Sequence, residues 1–386
     1  MTAELFDPGN HEPLTRSAWD ETRVRNAIEQ IVASTLEALE PRRFWPRSEE
    51  DDYGRAAERD RALWIGATGV LLALERLGAG VGEAGLYEAY LEQPDIPGSI
   101  GLMNGETGVL LVSWRLAPTQ AMEDRLLELV TENLRSADNE LFDGVPGTML
   151  AALHLYEATG EERWRDAWLV CAERVWELFR PDPELGCRIW VQHRRGRLIR
   201  SIGAGHGFAS NAHSLLRGRA LLGEGWAAEV EQAVADTAAT LAIREDGLVN
   251  WPTAADPYWA KRFATRVQWC HGAPGLITSL ATLPRDPRTD GLLARAGELT
   301  WRAGPLAKGA SLCHGTAGNG CAFLALHART GDALWLDRAR TFAIHALEQV
   351  EASEPRHSLW TGHIGAALYL RDCLDAWQGM PIVDYV

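Results

Sequence analysis

The sequence has few of the features that mark secreted or membrane proteins. Its 386 residues include only six cysteines, too sparse for the disulfide framework of a small secreted domain. No apolar run approaches the roughly 20 residues that a membrane-spanning helix requires. The first seven residues are polar and acidic rather than basic and apolar, so no signal peptide is predicted. We therefore expect a cytoplasmic protein without an integral membrane segment.

The chain also lacks an excess of positive charge. Its 38 Lys and Arg residues are outnumbered by 53 Asp and Glu residues, which gives a formal net charge of −15. This balance argues against broad binding to nucleic acid or to an anionic membrane surface. Low-complexity segments and interdomain linkers are missing as well. With 46% hydrophobic residues, the chain can build a substantial core, and we predict a single domain over residues 1–386.

A glycine pattern recurs along the chain. Seven G-x-x-G-like turns each open an apolar segment, and Ser210 replaces the second glycine of the fourth turn. The spacing is mostly about 40 residues, and a period of 20–50 residues indicates a repeat architecture. Amphipathic stretches between the turns, such as Glu162–Phe179 and Asp332–Gln349, predict a second set of helices. The first glycines of the seven turns are Gly66, Gly105, Gly144, Gly207, Gly272, Gly315 and Gly362.

The repeating unit of helix, glycine turn and apolar helix predicts an all-α fold. Seven helix pairs that close on themselves form an α/α toroid, a double-layered barrel with the apolar helices inside, because closure covers the faces that an open array would expose. The long spacing before the fourth turn has alternating apolar residues around a glycine, which predicts a small β-hairpin insertion at residues 181–203. Residues 1–17 are expected to be irregular. If the inner helices all run the same way, the seven turns surround one mouth of the barrel.

Two neighbouring turns carry metal-binding residue types. Cys270 precedes the fifth turn, and Cys313 and His314 precede the sixth. Three protein ligands with an open fourth position are typical of catalytic zinc, whereas four ligands are typical of structural zinc. We predict a Zn²⁺ site formed by these three residues. His271 mirrors His314 in its own turn, and a closed site that includes His271 remains an alternative.

Four further residues are candidates for chemistry at the same mouth. His206 lies immediately before the fourth turn glycine, and an unperturbed imidazole titrates near neutral pH, which suits acid–base work. Glu140 and Asp143 precede the third turn, where either carboxylate could orient or charge a histidine. Arg266, four residues before Cys270, could place a guanidinium beside the metal. The structural alternatives are a core histidine, helix capping by Asp143, an exposed Glu140 and an ordinary surface arginine.

The sequences Trp269-Cys270-His271-Gly272 and Cys313-His314-Gly315, set within seven glycine turns, resemble the lanthionine synthetase C-like (LanC) family and its bacterial lanthipeptide cyclases. The resemblance covers nearly the whole chain and implies an α/α toroid of two concentric seven-helix layers. It implies zinc ligands at Cys270, Cys313 and His314, a catalytic histidine at His206, an arginine at Arg266 and an acidic residue at Glu140. An aspartate is common at the last position, so Glu140 departs from the family pattern, as does Ser210.

The resemblance further implies a zinc-dependent cyclase. Such an enzyme adds cysteine thiols of a dehydrated precursor peptide to dehydroalanine or dehydrobutyrine and forms thioether rings, with a dehydratase or another modification enzyme as a partner. Two alternatives stay open: addition of glutathione or another thiol to dehydroamino acids, and a non-catalytic, zinc-stabilised docking module. The zinc-dependent protein prenyltransferases also use an α/α barrel, but their aspartate ligand has no matching motif here.

Overall fold

The computed structural model describes residues 5–48, 51, 59–194, 197–256 and 265–386. These residues form fourteen α-helices and three short β-hairpins. Seven of the helices each begin directly after the first glycine of a turn, and nearly all of their side chains are buried. These inner helices are α2 (Ala67–Arg76), α4 (Glu106–Leu116), α6 (Val145–Thr159), α8 (Phe208–Arg217), α10 (Ala273–Leu280), α12 (Thr316–Thr330) and α14 (His363–Asp375).

The other seven helices form an outer layer and bury one face each. In the helix that starts at Glu162, the buried residues Trp164, Trp168, Cys171 and Val175 recur at helical spacing, as expected for a helix that packs on a core from one side. The outer helices are α1 (Glu21–Glu37), α3 (Leu86–Glu92), α5 (Gln120–Asn133), α7 (Glu162–Leu178), α9 (Glu224–Leu241), α11 (Pro287–Ala303) and α13 (Ala333–Glu351).

The inner helices close into a ring. Each one contacts the next inner helix along the chain, and α14 contacts α2, so the last repeat adjoins the first. This closure confirms the predicted α/α toroid of seven helix pairs. In the described part of the chain, every helix falls short of the length and apolar content that crossing a membrane would require.

A ring of backbone hydrogen bonds joins the seven turns at one mouth of the barrel. In six of the seven turns, the residue two positions before the first glycine donates its N–H to the carbonyl of the equivalent residue in the next turn. The last link, from Trp360 N to Trp64 O at 3.4 Å, returns to the first turn. The seven residues of this mouth ring are Trp64, Met103, Phe142, Gly205, Cys270, Cys313 and Trp360.

One link of the mouth ring is replaced. The N–H of Phe142 donates to the Glu140 carboxylate at 3.1 Å and not to the carbonyl of Gly205 in the fourth turn. The ring therefore opens between the third and fourth turns, and a carboxylate occupies the opening. The fourth turn is also the one that departs from the glycine pattern at Ser210.

The second glycine of a turn is required by close packing within that turn. A Cβ atom on Gly108 would lie 1.8 Å from the carbonyl oxygen of Leu102, six residues earlier. The same relationship recurs in the five other turns that keep this glycine. In the fourth turn Ser210 occupies the position, and its hydroxyl donates to the carbonyl of Gly207 at 3.0 Å.

The insertion before the fourth turn differs from the single hairpin predicted at residues 181–203. Strand β1 (Arg180–Asp182) pairs with β2 (Cys187–Ile189), and β3 (Gln192–Arg194) pairs with β4 (Arg197–Ile199), both antiparallel. The extra hairpin forms because Asp182 accepts hydrogen bonds from the backbone of the next residues and Gly186 adopts a positive φ of 68°. Residues 195 and 196, in the predicted turn, lie outside the described residues. A third hairpin joins β5 (Ile243–Glu245) and β6 (Leu248–Asn250).

The N-terminal segment, predicted to be irregular over residues 1–17, is described from residue 5. It contains one 3-10 turn, Pro8–Asn10, and His11 forms an isolated bridge with Leu306. Residues 1–4 lie outside the described residues.

Candidate active site

The two cysteines and the histidine predicted as metal ligands lie together at the mouth of the barrel. The ligand atoms of Cys270, Cys313 and His314 are all within 4.8 Å of one another. Cys270 and Cys313 are only 8% and 5% exposed, and His314 is half-buried. The mouth ring creates this proximity, because the Cys270 N–H donates directly to the Cys313 carbonyl at 3.1 Å.

Contacts from neighbouring repeats hold the two turns in this arrangement. The indole rings of Trp269 and Trp360 pack with their centroids 4.6 Å apart. The side-chain amide of Asn319, on α12, donates to the carbonyl of Val267 at 2.9 Å and thereby ties the sixth repeat to the fifth turn. Neither Asn319 nor the tryptophan pair was predicted from the sequence, since both depend on which turns adjoin.

The two thiols interact strongly with each other. The hydrogen bond with Cys313 lowers the pKa of Cys270 despite its burial, with further help from His271 and His314. The same hydrogen bond, together with burial, raises the pKa of Cys313. The pair therefore holds one thiolate readily and resists forming the second without a cation.

This donor set fits zinc. Two buried sulfurs and one imidazole are soft and borderline ligands, the types that zinc prefers over the oxygen ligands of magnesium or calcium. A divalent cation would also compensate the second thiolate, which the protein alone disfavours. All six cysteines are free thiols, so neither ligand sulfur is consumed in a disulfide.

His271 lies beside the cluster but does not belong to it. Its backbone closes a tight turn with Gln268, through the bond from His271 N to Gln268 O at 3.0 Å and the reciprocal bond at 3.1 Å. In the part of the chain that the structure describes, the group of potential ligands contains Cys270, Cys313 and His314 and no fourth His, Cys, Asp or Glu.

His206 and Glu140 form a second pair beside this cluster. The Nδ1 atom of His206 lies 2.5 Å from Oε2 of Glu140. Glu140 is buried at 3% exposure, so it is not the exposed side chain considered from the sequence. Burial alone would raise the pKa of Glu140, but His206 and the N–H groups of Asp143 and Phe142 outweigh it and hold the pKa below its ordinary value.

The orientation of the His206 ring is set from two sides. Its Nδ1 faces Glu140, and the ring of Phe142 lies against it with centroids 4.1 Å apart. Phe142 in turn contacts Trp64 edge-on at 5.1 Å, which continues the packing along the mouth ring. Phe142 was not predicted from the sequence, where its only distinguishing feature is its place two residues before the first glycine of the third turn.

Asp143 lies at the third turn without capping a helix. The N-cap of α6 is Gly144, without a side-chain cap, so the capping alternative is wrong. Burial, and then the charge of Glu140, raises the pKa of Asp143 to about 6, partly offset by a hydrogen bond with Asn104. Its carboxyl group is therefore close to half-protonated near pH 6.

Arg266 lies on the approach to the fifth turn and is half-buried. Its carbonyl oxygen accepts a hydrogen bond from Asn250 at 3.1 Å. The placement of its guanidinium beside the metal ligands stays a prediction.

The turn that carries His206 lies next to the turn that carries Cys270 of the sulfur cluster. The N–H of Gly205, next to His206, donates to the carbonyl of Cys270 at 3.2 Å. A Cβ atom on Gly205 would lie 3.1 Å from the Cβ of Cys270, so the two turns pack closely. The mouth therefore combines a soft metal-binding cluster with a neighbouring acid–base pair.

Comparison with known proteins agrees with these features. The family model described as lanthionine synthetase C-like protein matches residues 120–378. The chain belongs to this family. The membership confirms the resemblance identified from the two cysteine turns, and the matched region contains Glu140, His206, Cys270, Cys313 and His314.

Curated LanC-like relatives match a shorter segment. The chain is 38% identical over 117 residues to the protein named glutathione S-transferase LANCL1 of Danio rerio, across 28% of each chain. It is 37% identical over 111 residues to LanC-like protein GCL1 of Arabidopsis thaliana, across 26% of this chain and 25% of that protein. The chain thus matches only about a quarter of the length of these relatives.

Solved structures share the fold over nearly the whole chain. Nisin cyclase superposes with a TM-score of 0.64 at 15% identity, over 91% of this chain and 94% of its own. The Lin0763 protein of Listeria innocua gives a TM-score of 0.51 at 10% identity, over 92% and 99% of the two chains. At these identities the likeness concerns the fold, and it agrees with the toroid described above.

Proposed function

We propose that this LanC-like protein is a zinc-dependent cyclase that adds cysteine thiols of a peptide to dehydroalanine or dehydrobutyrine residues, forming lanthionine or methyllanthionine thioethers. The observation that carries the proposal is the adjacency of two sets of residues. The cluster of Cys270, Cys313 and His314 spans the fifth and sixth turns, and the fifth turn adjoins the turn of His206. Family membership and the fold of nisin cyclase support a cyclase-type enzyme.

Cys270, Cys313 and His314 would hold the zinc ion, with the fourth position left for the substrate. Zinc bound there would activate the substrate thiol as a nucleophile. A free thiol has a pKa near 8.5, whereas a metal-bound thiol is deprotonated. The absence of His271 from the three-residue group supports a catalytic rather than a closed structural site.

Residues of the protein donate the proton that the reaction needs and stabilise the negative charge that develops. The new carbon–sulfur bond forms at the β-carbon of the dehydroamino acid, and the electron pair of the alkene moves towards the α-carbon and its carbonyl. The α-carbon then needs a proton, which we assign to His206. Glu140 holds Nδ1 of the ring in a hydrogen bond, so Nε2 is the nitrogen that exchanges the proton.

The enolate oxygen formed in this step needs a stabilising charge or dipole. Arg266 is the proposed cationic group, and the N-termini of the inner helices that open at the mouth contribute positive partial charge. Asp143 is proposed as a second acidic group near His206, because its raised pKa of about 6 lets it exchange protons near neutral pH.

A second candidate is addition of glutathione or another small thiol to dehydroamino acids. The 38% identity to a relative named glutathione S-transferase LANCL1 favours it. In this reaction the same metal cluster would activate the small thiol, and His206 would donate the same proton. A non-catalytic, zinc-stabilised docking module is the third reading. Under the cyclase proposal the protein is a single cytoplasmic domain that takes a dehydrated precursor peptide and works beside a dehydratase or another modification enzyme.

One experiment separates these functions. The purified protein is incubated with a dehydrated cysteine-containing peptide, with and without a zinc chelator, and with and without glutathione. Cyclisation consumes the peptide thiol without a change in mass, and it stops when zinc is removed. A mass increase equal to glutathione indicates the second candidate. If the peptide thiol and the peptide mass both stay unchanged with zinc bound, the docking module is favoured and the cyclase proposal is wrong.

A further inference from the structure

One buried polar side chain touches the sulfur cluster without being a predicted ligand. The side-chain amide of Gln268 lies 2.8 Å from Sγ of Cys270, with Nε2 as the contacting atom. Gln268 is 4% exposed. Burying an amide is costly unless its hydrogen bonds are made, so a contact with a ligand sulfur calls for a chemical explanation.

The chemistry of the sulfur decides which amide atom faces it. A metal-bound cysteine is a thiolate, which accepts hydrogen bonds and has no proton to donate. The carbonyl oxygen of the amide would be repelled by the thiolate, whereas the NH₂ group donates to it. The observed orientation, with Nε2 towards the sulfur, is therefore the one that a metal-loaded site requires.

The side chain is not needed to form the turn. The backbone of Gln268 already closes the turn with His271 through two hydrogen bonds of 3.1 and 3.0 Å, and any residue type could make them. The amide group is thus available for a purpose other than local folding. Its only hydrogen bond described in the structure is the one to Cys270.

We propose that Gln268 is a positioning residue for the Cys270 ligand. Its N–H holds Sγ of Cys270 in the orientation that faces Cys313 and His314, and it withdraws negative charge from that sulfur. Partners of this kind, which orient metal ligands without binding the metal, commonly contribute 10- to 100-fold to metal affinity. The inference rests on the proposed zinc site and adds a residue to it.

The test compares a donor-free variant with a matched glutamine elsewhere. Gln268→Met removes the N–H at nearly constant side-chain volume. The control is Gln349→Met, because the amide of Gln349 donates to Glu12 and to the carbonyl of Leu306 rather than to a sulfur. Zinc affinity is measured by competition with a chromophoric chelator. The thiolate-to-cobalt charge-transfer band is recorded after substitution with Co²⁺.

We expect Gln268→Met to bind zinc roughly 10- to 100-fold more weakly than the wild type. Its charge-transfer band should move to longer wavelength, because a thiolate without its hydrogen bond gives up charge more easily. Gln349→Met should leave both quantities at their wild-type values. If Gln268→Met does not fold, as judged by near-UV circular dichroism, Gln268→Leu takes its place, and we expect the same loss of zinc affinity and the same shift of the band.

The outcomes separate this inference from the function that it refines. Unchanged affinity and an unchanged band in a folded Gln268 variant would overturn the role of Gln268 while leaving the zinc site intact. A weaker affinity with an unmoved band would also overturn it, since a general loss of packing explains that pattern. If the wild-type protein binds neither zinc nor cobalt, the proposed function itself fails.

Discussion

Asn211 and Asn319 make the same hydrogen bond in two different repeats. Each lies four residues after the first glycine of its turn, and each is fully buried. The Nδ2 of Asn211 donates to the carbonyl of Asn139 at 3.0 Å, and the Nδ2 of Asn319 donates to the carbonyl of Val267 at 2.9 Å. Both acceptors lie five residues before the first glycine of the preceding turn.

These two bonds join the turns on which the proposed chemistry depends. The Asn211 bond links the third and fourth turns, which hold Glu140 and His206. The Asn319 bond links the fifth and sixth turns, which hold the sulfur cluster. Each asparagine therefore supports one half of the site, and the two halves can be disturbed separately.

The first prediction uses this separation. Asn319→Ala leaves the buried carbonyl of Val267 without its donor, which costs about 1–3 kcal/mol, and the fifth and sixth turns can move apart. We expect about 10-fold weaker zinc binding in this variant. Asn211→Ala should keep wild-type zinc affinity and lose cyclisation rate, because it disturbs Glu140 and His206. Chelator competition and a thiol-loss assay on the same two proteins measure both effects. Equal zinc affinities in the two variants would contradict the prediction.

The repeats could be predicted from the sequence because their signal is local. Gly108 packs against the carbonyl of Leu102 only six residues earlier, so the requirement for glycine is visible within each turn. The metal ligands were predictable for the same reason, once the turns of Cys270 and Cys313 were recognised as neighbours. The count of seven then led to the toroid.

The contacts between turns could not be predicted in this way. Glu140 and His206 are 66 residues apart in the sequence, and nothing in their spacing shows that a carboxylate replaces one link of the mouth ring. Phe142 and Gln268 belong to common residue types and become informative only when their neighbours are known. The second hairpin could not be predicted because its turn depends on the Asp182 side chain and on a positive φ at Gly186, and residues of these types are common in loops of every kind.

The second prediction concerns the proton donor. His206→Ala should retain zinc at full stoichiometry while cyclisation of a dehydrated peptide falls by about 10²- to 10⁴-fold, the usual contribution of a general acid. Glu140→Gln keeps a group that can hydrogen-bond to Nδ1 but removes the negative charge beside the ring, so we expect a smaller loss, on the order of 10-fold. Metal analysis and a rate assay on both variants provide the test. Full activity in His206→Ala would remove His206 from the mechanism.

The third prediction is a pH dependence of stability due to Asp143. Its pKa in the folded protein is about 6, above the ordinary value of 3.8. The folded state therefore binds this proton more tightly than the unfolded chain does, and protonation of Asp143 stabilises the fold. The resulting stabilisation is fully present below about pH 4 and is lost as the pH rises through 6. Asp143→Asn lacks this titration.

We therefore expect the free energy of unfolding of Asp143→Asn, relative to the wild type, to rise by about 1–3 kcal/mol between pH 4 and pH 7. Urea unfolding of both proteins at several pH values measures the difference, and the carboxylates that do not interact with Asp143 cancel because they are common to both. A difference that stays constant with pH would show that Asp143 titrates normally in the folded protein.

The last prediction tests whether the fifth turn needs its first glycine. Gly272 has a φ of 104°, which side-chain-bearing residues rarely adopt, and a Cβ atom would lie 1.8 Å from the carbonyl oxygen of Arg266. Gly272→Ala should therefore destabilise the protein by about 2–4 kcal/mol through strain and overlap. It should also weaken zinc binding, because the turn that carries Cys270 must shift.

Gly225 provides the matched control for this substitution. It lies in the first turn of α9, and a Cβ atom there would meet no other atom within 4 Å. Gly225→Ala should stabilise the protein by about 0.4–1 kcal/mol, since alanine restricts the unfolded chain and favours the helix. Urea unfolding and chelator competition compare the two variants. If Gly272→Ala matched Gly225→Ala in stability and zinc affinity, the close approach to Arg266 would not be what keeps glycine beside the metal ligands.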